Sequence, residues 1–556
     1  MTKEITQLTL IFLLLSTAAW SQSFRIDDLK NTFGKGKPLK LSGGLSANTT
    51  YTSGNGEQGR EPFVYYLNGT VDLNLYGLID LPFTLNLTNS GTSYKLPSIP
   101  NRLSLHPSYK WMTAHIGDVS MDFSPYSLNG HLFTGVGLEM KPGTWEFDAM
   151  YGRLQKAVAY NDSLPSIMPT YKRMGYGLKL GRKADSYEIS VNLLKAKDSP
   201  ASLAVQPDSL GVTPMDNLAG SVALTLRPLK FIEISGEYGF SWLTTDLRDA
   251  AHTKTFYKAI KAQINYVGEH NRFGLGYERV DPGYRSLGAY YFTNDLENIT
   301  ANGSQSLWQD KLKFDLSLGY EHDDLAHTKA SASSRVVGSA NISFAPNERL
   351  NVNLSYSDFQ SYSNLRSNFD YINQQNPLDR LDTLDFAQLS QSANLSLSYV
   401  LQKTEAQSQD LNLNLSYQDA SNKQGGVYQP GSVTEMLNAV AAYSLSFLKT
   451  GLKLNGAFNL SDSRILNAST LTLGPTLGAS ARLLHKKILL NSSLSYNIGE
   501  KEGLKQSEVF LFRLNGTYCL KQRHNFTLAY NYQWRSALSQ PAMDTSILTA
   551  GYSYNF

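Results

Sequence analysis

The feature that most constrains this chain is an alternation of apolar and polar residues that recurs along most of its 556 residues. The clearest segments are 311–320, 351–357, 395–401 and 411–417. Alternation at period two places the apolar side chains on one face of a strand and the polar ones on the other, whereas a helix would repeat every 3.6 residues. The chain is therefore predicted to be all-β, with strands that each have one apolar and one polar face.

The stretch GYSYNF at 551–556 continues this alternation to the last residue. Tyr552, Tyr554 and Phe556 share one face, and Ser553 and Asn555 share the other. A soluble domain usually ends in polar, frayed residues. We therefore predict a lipid-facing strand that closes a barrel, and we expect the barrel-assembly machinery to recognise the protein through this strand.

The composition agrees with a membrane barrel. The chain has 33 Tyr, 24 Phe and 42 Gly, while only 17% of its residues are charged. This profile is typical of transmembrane β-barrels, in which half of each strand faces lipid and the other half faces water. A formal net charge of +3 argues against a nucleic-acid-binding surface, and the single cysteine, Cys519, excludes an internal disulfide.

Tryptophans near the predicted strand ends suggest an aromatic girdle at the membrane surfaces. They are Trp111, Trp145, Trp242, Trp308 and Trp534. In a soluble β-solenoid or sandwich the same residues would be ordinary core aromatics. That alternative does not require alternating long and short connections between strands, and this chain has them.

The predicted connections fall into two sets, as in outer-membrane barrels with short periplasmic turns and longer extracellular loops. Tight turns are predicted at 141–144, 226–229, 345–349, 448–451, 484–487 and 520–523, and longer connectors at 198–216, 321–333, 362–383, 419–432, 461–467, 499–506 and 538–545. Counting strands between these connections predicts a single-chain antiparallel barrel of about 26 strands, with both ends in the periplasm. The same counting gives a range of roughly 22 to 28 strands.

The first residues look like an export signal. Lys3 precedes an apolar stretch and then the small residues Ala19 and Ser21, which fit a cleavage site that leaves Gln22 as the new amino terminus. We predict a signal peptide over 1–21, a short periplasmic leader over 22–37 and the barrel over 38–556. The leader is too short for a plug domain.

Candidate metal ligands cluster in two predicted loops. They are Glu321, His322, Asp323, Asp324 and His327 in one, and Asp379, Asp382 and Asp385 in the other. Neither spacing matches a defined metal-binding loop. Solvated surface loops are the favoured interpretation, and no metal or cofactor is predicted.

A nucleophile paired with a histidine would indicate a barrel hydrolase. The candidates are Ser124 and Ser127 with His106, His115 and His131. Nucleophilic catalysis requires a base within hydrogen-bond reach and a third group that orients the base. The sequence shows neither, so no enzyme activity and no catalytic residue are predicted.

The run 101–157 has more Pro, Gly, His and aromatic residues than the later strands. Within it, HPSYKW at 106–111, FSPYSLNGHLFTGVGLEMKPG at 123–143 and AMYGR at 149–153 resemble uncharacterised outer-membrane β-barrel proteins of the Bacteroidota. The resemblance implies a signal peptide and a barrel in the outer membrane of a Gram-negative bacterium. It implies no activity.

One connection in that run is too stiff and too apolar for a solvated loop. It consists of Phe123, Ser124, Pro125, Tyr126, Ser127, Leu128, Asn129 and Gly130. A barrel of 22 or more strands is wide enough to need a plug. We predict that this segment folds inward as a constriction, or docks a partner protein at the barrel mouth.

The residues on the polar strand faces indicate what kind of solute the barrel would pass. They are rich in Asn, Ser, Thr and Gly, with charges such as Lys311, Lys313, Asp315, Glu233, Glu237 and Glu278. A polar lumen of mixed charge suits a water-filled passage rather than a channel for hydrophobic ligands. The first hypothesis is a channel or conduit for polar solutes or larger cargo, gated by inward loops or a partner. The alternative is a scaffold subunit of an outer-membrane complex for protein export, barrel assembly or surface-lipoprotein handling.

Overall fold

The structure is a computed structural model that describes most of the chain. The described residues are 38–55, 62–89, 102–160, 169–203, 211–249, 253–289, 294–328, 334–358, 361–364, 386–420, 423–424, 427–428, 434–465, 468–485, 487–538 and 540–556. The predicted signal peptide and leader, residues 1–37, lie outside them. No helix in the described ranges is long and apolar enough to cross a membrane.

The described residues are almost entirely β-strand. The first half contains β1 (Leu39–Gly54), β2 (Phe63–Leu75), β3 (Ile79–Thr88), β4 (Arg102–Leu105), β5 (Ser108–Tyr109), β6 (Met112–Asp122), β7 (Asn129–Met140), β8 (Trp145–Gln155), β9 (Lys172–Lys183), β10 (Tyr187–Ser199), β11 (Asp216–Leu229), β12 (Ile232–Thr244), β13 (Thr255–Val267) and β14 (Asn271–Val280).

The second half contains β15 (Leu296–Leu307), β16 (Leu312–His322), β17 (Ser334–Asn347), β18 (Leu350–Asp358), β19 (Ser361–Asn364), β20 (Phe386–Lys403), β21 (Gln407–Ala420), β22 (Lys423–Gln424), β23 (Val427–Tyr428), β24 (Thr434–Phe447), β25 (Leu452–Ile465), β26 (Ala468–Leu483), β27 (Ile488–Lys501), β28 (Leu504–Leu520), β29 (His524–Ala537) and β30 (Gln540–Asn555).

These strands close into one barrel. Each wall strand pairs antiparallel with its neighbours in the chain, and β1 pairs antiparallel with β30. The pieces β4 and β5 together form one wall strand, as do β18 and β19, while β22 and β23 form a separate hairpin. The wall therefore has 26 strands, which confirms the predicted fold and strand number.

The two faces of the wall differ as the alternation predicts. In β16, Leu318 is 63% exposed and Tyr320 is 51% exposed on the outer face, and Ser317 and Gly319 lie on the inner face. Cross-strand partners share a face, so Leu318 pairs with Ala301 outside while Ser317 pairs with Asn302 inside. The exterior is thus an apolar surface suited to lipid, and the interior is largely polar.

The two ends of the barrel also differ. We call the end where β1 begins and β30 finishes the turn end, and the opposite end the loop end. At the turn end, β7 and β8 are joined by 141–144, β24 and β25 by 448–451, and β28 and β29 by 521–523. Longer connections at the loop end include 200–215, 323–333 and 421–433. This pattern confirms the division into short turns and longer loops.

Three predicted loop-end connectors are wrong. The stretches 461–467, 499–506 and 538–545 were expected as longer loops, but only two residues separate β25 from β26, β27 from β28, and β29 from β30. The strands continue through these polar stretches because contacts between neighbouring strands hold the extensions together. An example is the Tyr496 hydroxyl of β27, which donates to Glu508 of β28 at 2.8 Å.

The predicted girdle tryptophans lie at both ends of the barrel. Trp111, Trp145 and Trp308 lie at the turn end, in turns or at the start of a strand, and they are 41%, 42% and 65% exposed. Trp242 is 40% exposed near the end of β12, and Trp534 is half-buried near the end of β29, both toward the loop end. That they anchor the barrel at the membrane surfaces stays a prediction.

The predicted closing strand is β30, whose partner is β1. Tyr552 pairs with Ala47, and Tyr554 pairs with Leu45, which is 41% exposed on the outer face. Phe556 follows the strand, and its backbone exchanges hydrogen bonds of 3.0 and 3.3 Å with Gly43. The aromatic face of this strand therefore forms part of the barrel exterior at its seam.

Candidate functional site: two inner segments in the lumen

The candidate site is formed by two loops that lie against the inner face of the barrel. The first inner segment is Phe123–Gly130, which connects β6 and β7, and the second inner segment is Asp281–Ala289, which follows β14. Ser127 and Leu128 are fully buried in the first segment, and Tyr284 is fully buried in the second. The segment that the sequence singles out, Phe123–Gly130, is therefore packed against the wall inside the barrel and is not a solvated loop.

The first inner segment is folded on itself by local hydrogen bonds. The backbone N–H groups of Phe123 and Ser124 both donate to the Leu128 carbonyl, at 2.9 and 3.2 Å. The Ser124 hydroxyl oxygen accepts from the Tyr126 N–H at 3.0 Å. A segment that satisfies its own backbone in this way can be buried at low cost.

Two glutamates on the inner face hold the first segment. The Ser124 hydroxyl donates to Glu237 of β12, and the Tyr126 hydroxyl donates to Glu278 of β14 at 2.6 Å. Burial raises the pKa of Tyr126, and the Glu278 carboxylate beside it raises that pKa further. The hydroxyl therefore stays protonated and remains a donor. Hydrogen bonds to charged groups are stronger than those between neutral groups.

A glycine makes room for the Tyr126 ring. Gly239 lies under that ring on the inner face of β12, and a Cβ there would come within 2.8 Å of it. The ring also meets Tyr284 edge-on, with ring centroids 6.1 Å apart. The close approach of the first segment to the wall thus depends on the missing side chain at Gly239.

The second inner segment covers the first. The Tyr284 hydroxyl donates to the Tyr126 carbonyl at 2.8 Å, the Ser286 hydroxyl donates to the Ser127 carbonyl, and the Asn129 N–H donates to the Gly288 carbonyl at 3.1 Å. These bonds join residues about 160 positions apart, such as Ser127 and Ser286. The two segments therefore form one unit.

Asn217 of β11 ties the second segment to the wall. This side chain is fully buried, and its amide donates to the Arg285 carbonyl at 3.2 Å and accepts from the Leu287 N–H at 3.1 Å. The Ser241 hydroxyl of β12 donates to the same Arg285 carbonyl at 2.7 Å. Both polar groups belong to the inner faces of wall strands.

Beneath the segments lies an apolar cluster inside the barrel. It comprises Val119, Met121, Phe123, Leu128, Phe133, Met150, Leu154, Leu194, Ala196 and Leu287. Most belong to inner faces of β6, β7, β8 and β10, and the others come from the two inner segments. Apolar side chains facing a water-filled lumen would cost roughly 25 cal/mol per Å² of exposed surface. Covering this patch supplies the driving force that holds the segments inward.

This apolar patch was missed in the sequence. The inner faces were predicted to be polar, but Leu194 follows Leu193 directly, so one of the two must face inward. In β6, Val119 and Met121 occupy inner positions, on the face opposite that of Ile116, which is 45% exposed on the lipid side. Breaks in the alternation were the available signal.

The predicted inner charges lie where expected, with one exception. Glu233, Glu237, Glu278, Lys313 and Asp315 are on inner faces, whereas Lys311 lies in the turn before β16. Two of these carboxylates pair with cations: Lys261 lies 3.4 Å from Glu278, and Glu233 lies 3.1 Å from Arg227 and 3.6 Å from Arg272. The charged strip runs along β12 to β16.

The structure does not bring the candidate nucleophiles to a histidine. Ser124 bonds Glu237, while His131 contacts the Leu132 carbonyl at 2.7 Å. His106 instead lies 3.0 Å from the hydroxyl of Ser104, which sequence reasoning did not consider.

That histidine belongs to a chain of hydrogen-bonding groups. The Nδ1 atoms of His106 and His115 are 2.7 Å apart, and His115 Nε2 lies 3.3 Å from Glu139. Ser104 is only 8% exposed. Its hydroxyl is therefore a buried hydrogen-bond partner rather than an accessible nucleophile.

The candidate metal ligands do not converge. Within the described part of the chain, no group of three or more His, Cys, Asp or Glu side chains could hold a metal ion. His322 lies 3.3 Å from Glu297, and Asp324 accepts from the Thr328 N–H at 2.7 Å. The cluster Asp379, Asp382 and Asp385 lies outside the described residues.

Comparison with known proteins assigns no family to this chain. No family model and no curated protein matches the chain. Among solved structures, the FrpB iron transporter from Neisseria meningitidis shares 12% identity at a TM-score of 0.37, over 95% of this chain and 83% of that one. The copper transporter OprC shares 12% identity at a TM-score of 0.38, over 93% and 80%. A mutant of the Rh. blastica porin shares 12% identity at a TM-score of 0.27, over 54% and 98%. Scores and identities this low assign no substrate to this chain.

Proposed function

We propose that the protein is an outer-membrane channel for polar solutes whose lumen is narrowed by its two inner segments. The observation that carries the proposal is the closed 26-strand wall with an apolar exterior and a polar interior. Such a wall crosses a bilayer with every strand paired, and its interior can hold water. We place the protein in the outer membrane of a Gram-negative bacterium, where barrels of this kind are found.

The width of the barrel makes narrowing necessary. Barrels of 16 to 18 strands already leave an aqueous channel, and those of about 22 strands are plugged. A 26-strand wall without inner segments would leave a hole that admits large solutes. The two inner segments, joined to each other and anchored to β11, β12 and β14, supply a narrowing from one side of the lumen.

The lining favours small polar solutes of either charge. Cross-strand pairs of Asn with Ser or Thr recur on the inner faces, such as Asn459 with Thr476 at 2.8 Å and Asn438 with Ser416 at 3.3 Å. The inner charges include both signs. A lining of this kind supports passage without strong ion selectivity.

The proposal is tested by replacing Ser124–Gly130 with a short Gly-Ser linker and recording single-channel conductance in planar bilayers. We expect larger openings than in the native protein. The control trims the loop-end hairpin of β27 and β28 around Glu502 and Gly503, on another part of the wall, and should leave conductance unchanged. Equal conductance of the linker variant and the native protein would contradict the narrowing.

A folded native barrel that passes no current would contradict the channel. It would favour the second candidate, a scaffold subunit of an outer-membrane complex, whose lumen is sealed by a partner. In that case purification in mild detergent should yield fixed partner proteins. A single species without partners would exclude the scaffold.

A further inference from the structure

A polar groove lies on the inner wall, separate from the two inner segments. It has a volume of about 270 Å³ and is lined by Gln263, Arg272, Asn302, Ser304, Asp315 and Ser317. A second hollow of about 310 Å³ continues it toward the turn end and shares Arg272, Ser304 and Asp315. Together they form a path along β14, β15 and β16.

The register of the wall explains the groove. Arg272, Ser304 and Asp315 are direct cross-strand partners, so they form a row across three neighbouring strands. Strands lie about 4.8 Å apart, which sets the Cα atoms of Arg272 and Asp315 about 10 Å apart. In the next row, Gly274 has no side chain and is followed by Asn302 and Ser317. The amides of Asn265 and Asn302 lie over Gly274, so this row places polar groups beside the charged row.

The two charges of the row do not neutralise each other. The nearest carboxylate recorded for Arg272 is Glu233 of β12, at 3.6 Å and on the side away from Asp315. Within the described ranges, Asp315 makes no ion pair and no side-chain hydrogen bond. Because Arg272 and Arg227 share the single carboxylate of Glu233, the Arg272 side of the groove keeps a net positive charge, and Asp315 supplies a negative charge on the other side.

The polar side chains between Arg272 and Asp315 are also available to form hydrogen bonds with a solute. The side chains of Gln263, Asn302, Ser304 and Ser317 make no hydrogen bond to another residue in the described part of the chain. Beside them, Asn265 is only 1% exposed, and both polar atoms of its amide lack a partner among the described residues. Amide and hydroxyl groups in this state can bond a peptide-like solute.

We propose that this groove is a binding site for small zwitterionic solutes, namely amino acids or short peptides. The solute carboxylate pairs with Arg272, its ammonium group pairs with Asp315, and its amide meets Asn302 and the serines. A simple anion is disfavoured by Asp315 and a simple cation by Arg272, whereas a zwitterion satisfies both. This inference rests on the proposed channel function, because it names the solute class that the channel would favour.

The experiment measures how solutes interrupt the ion current through the native protein in a planar bilayer. The probe is glycylglycine, and the comparison solute is its N-acetylated, C-amidated form, which has no charge. We expect glycylglycine to block the current at concentrations at least about tenfold lower, since a charge-assisted hydrogen bond contributes more than a neutral one.

Substitutions of Arg272 and Asp315 test whether the solute blocks the current by binding in this groove. Arg272→Gln and Asp315→Asn should each weaken the block by about tenfold. Arg272→Lys, which keeps a positive charge beside Glu233, should retain the block. The control is Arg535→Gln, which removes an inner-face charge of β29 on another part of the wall. Heat-modifiable migration on gels shows that each variant is folded.

A second readout separates the groove from the channel. Saturation-transfer NMR of glycylglycine with the detergent-solubilised barrel reports binding without any current. If the protein carries current and glycylglycine and the uncharged solute block it at equal concentrations, the zwitterion site is wrong, but the channel proposal is not contradicted. If the native protein carries no current in bilayers, and the NMR signal of glycylglycine is present with the native protein but lost in Arg272→Gln, the channel proposal is wrong and the binding site is supported. An NMR signal unchanged in Arg272→Gln would overturn the site.

Discussion

The wall formed by β6 to β14 and the wall formed by β24 to β30 share one strand architecture but have different interiors. The first wall carries an apolar cluster, buried charges and two inner segments. The second wall has short connections at both ends, and its inner face is mainly Asn, Ser and Thr. The same exterior pattern therefore supports two kinds of lumen surface.

The difference shows what determines where a loop lies. On the second wall, inner amides and hydroxyls bond each other, as Asn459 does with Thr476, and its buried apolar inner residues Val440, Leu511 and Ile547 lie on three different strands. On the first wall, Leu194 and Phe133 are apolar inner residues that are fully buried in a cluster to which both inner segments contribute side chains. The inner segments therefore lie where several strands together form an apolar cluster, and not wherever a single inner residue is apolar.

The largest effect is expected from Leu194→Ala, which creates a cavity in the apolar cluster. The cost is about 2–5 kcal/mol, because Leu194 is fully buried. The melting temperature from heat-modifiable gel migration in detergent should fall. The matched control, Leu477→Ala, removes a side chain that is 63% exposed on the lipid face and should change melting little. An equal fall in melting temperature in both variants would mean that the apolar cluster of the first wall contributes no more to stability than the lipid-facing side chains of the second wall.

A smaller effect is expected from Gly239→Val. Its Cβ would lie within 2.8 Å of Tyr126, so the first inner segment must shift, at a cost of about 1–3 kcal/mol. Single-channel conductance should increase, because the narrowing is loosened. Gly456→Val is the control, since its Cβ meets nothing closer than 3.7 Å. A native conductance in Gly239→Val would show that the segment does not depend on this contact.

Tyr126→Phe removes the hydroxyl that donates to Glu278. The loss should be about 1.5 kcal/mol, at the lower end for a bond to a charged group, because Glu278 keeps Lys261 at 3.4 Å. Amide hydrogen exchange in Phe123–Gly130 should accelerate. Tyr530→Phe, on the lipid-facing side of β29, serves as the control. Unchanged exchange in Tyr126→Phe would mean that the apolar contacts alone hold the segment.

The smallest effect is expected at the loop end of the second wall. Glu502 and Gly503 have φ angles of 52° and 77°, the left-handed conformation of a two-residue hairpin turn. Gly503→Ala should cost about 1 kcal/mol through backbone strain, with conductance unchanged. The same substitution at Gly456, an ordinary strand position, tests the strain directly. A conductance change in Gly503→Ala would show that these hairpins also shape the lumen.

Much of the wall could be predicted from the sequence because alternation is a local property. The outward position of Leu318 and the inward position of Ser317 follow from period two, and the pairing of β15 with β16 follows from their order in the chain. The stiffness of the Phe123–Gly130 segment was also visible. The extended hairpin around Glu502 was not, because polar strand extensions and solvated loops have the same composition.

The partner of the first inner segment could not be predicted. Ser127 meets Ser286 across 159 positions, and Tyr126 meets Glu278 across 152. Neither contact has a periodic signal, and each requires the folded wall to bring the residues together. The inner apolar patch was partly predictable, because Leu193 and Leu194 break the alternation, but the two inner segments that cover it were not.

The seam between β1 and β30 has a consequence for biogenesis. Thr49 bonds the Ala550 carbonyl, 501 positions away, so the ring is joined by residues from opposite extremes of the chain. Until that contact forms, both edge strands expose unpaired backbone groups that can pair with other chains. A contact of such long range forms slowly. The unclosed sheet therefore needs protection during its passage to the membrane, and the seam is the place where a helper protein could hold it open.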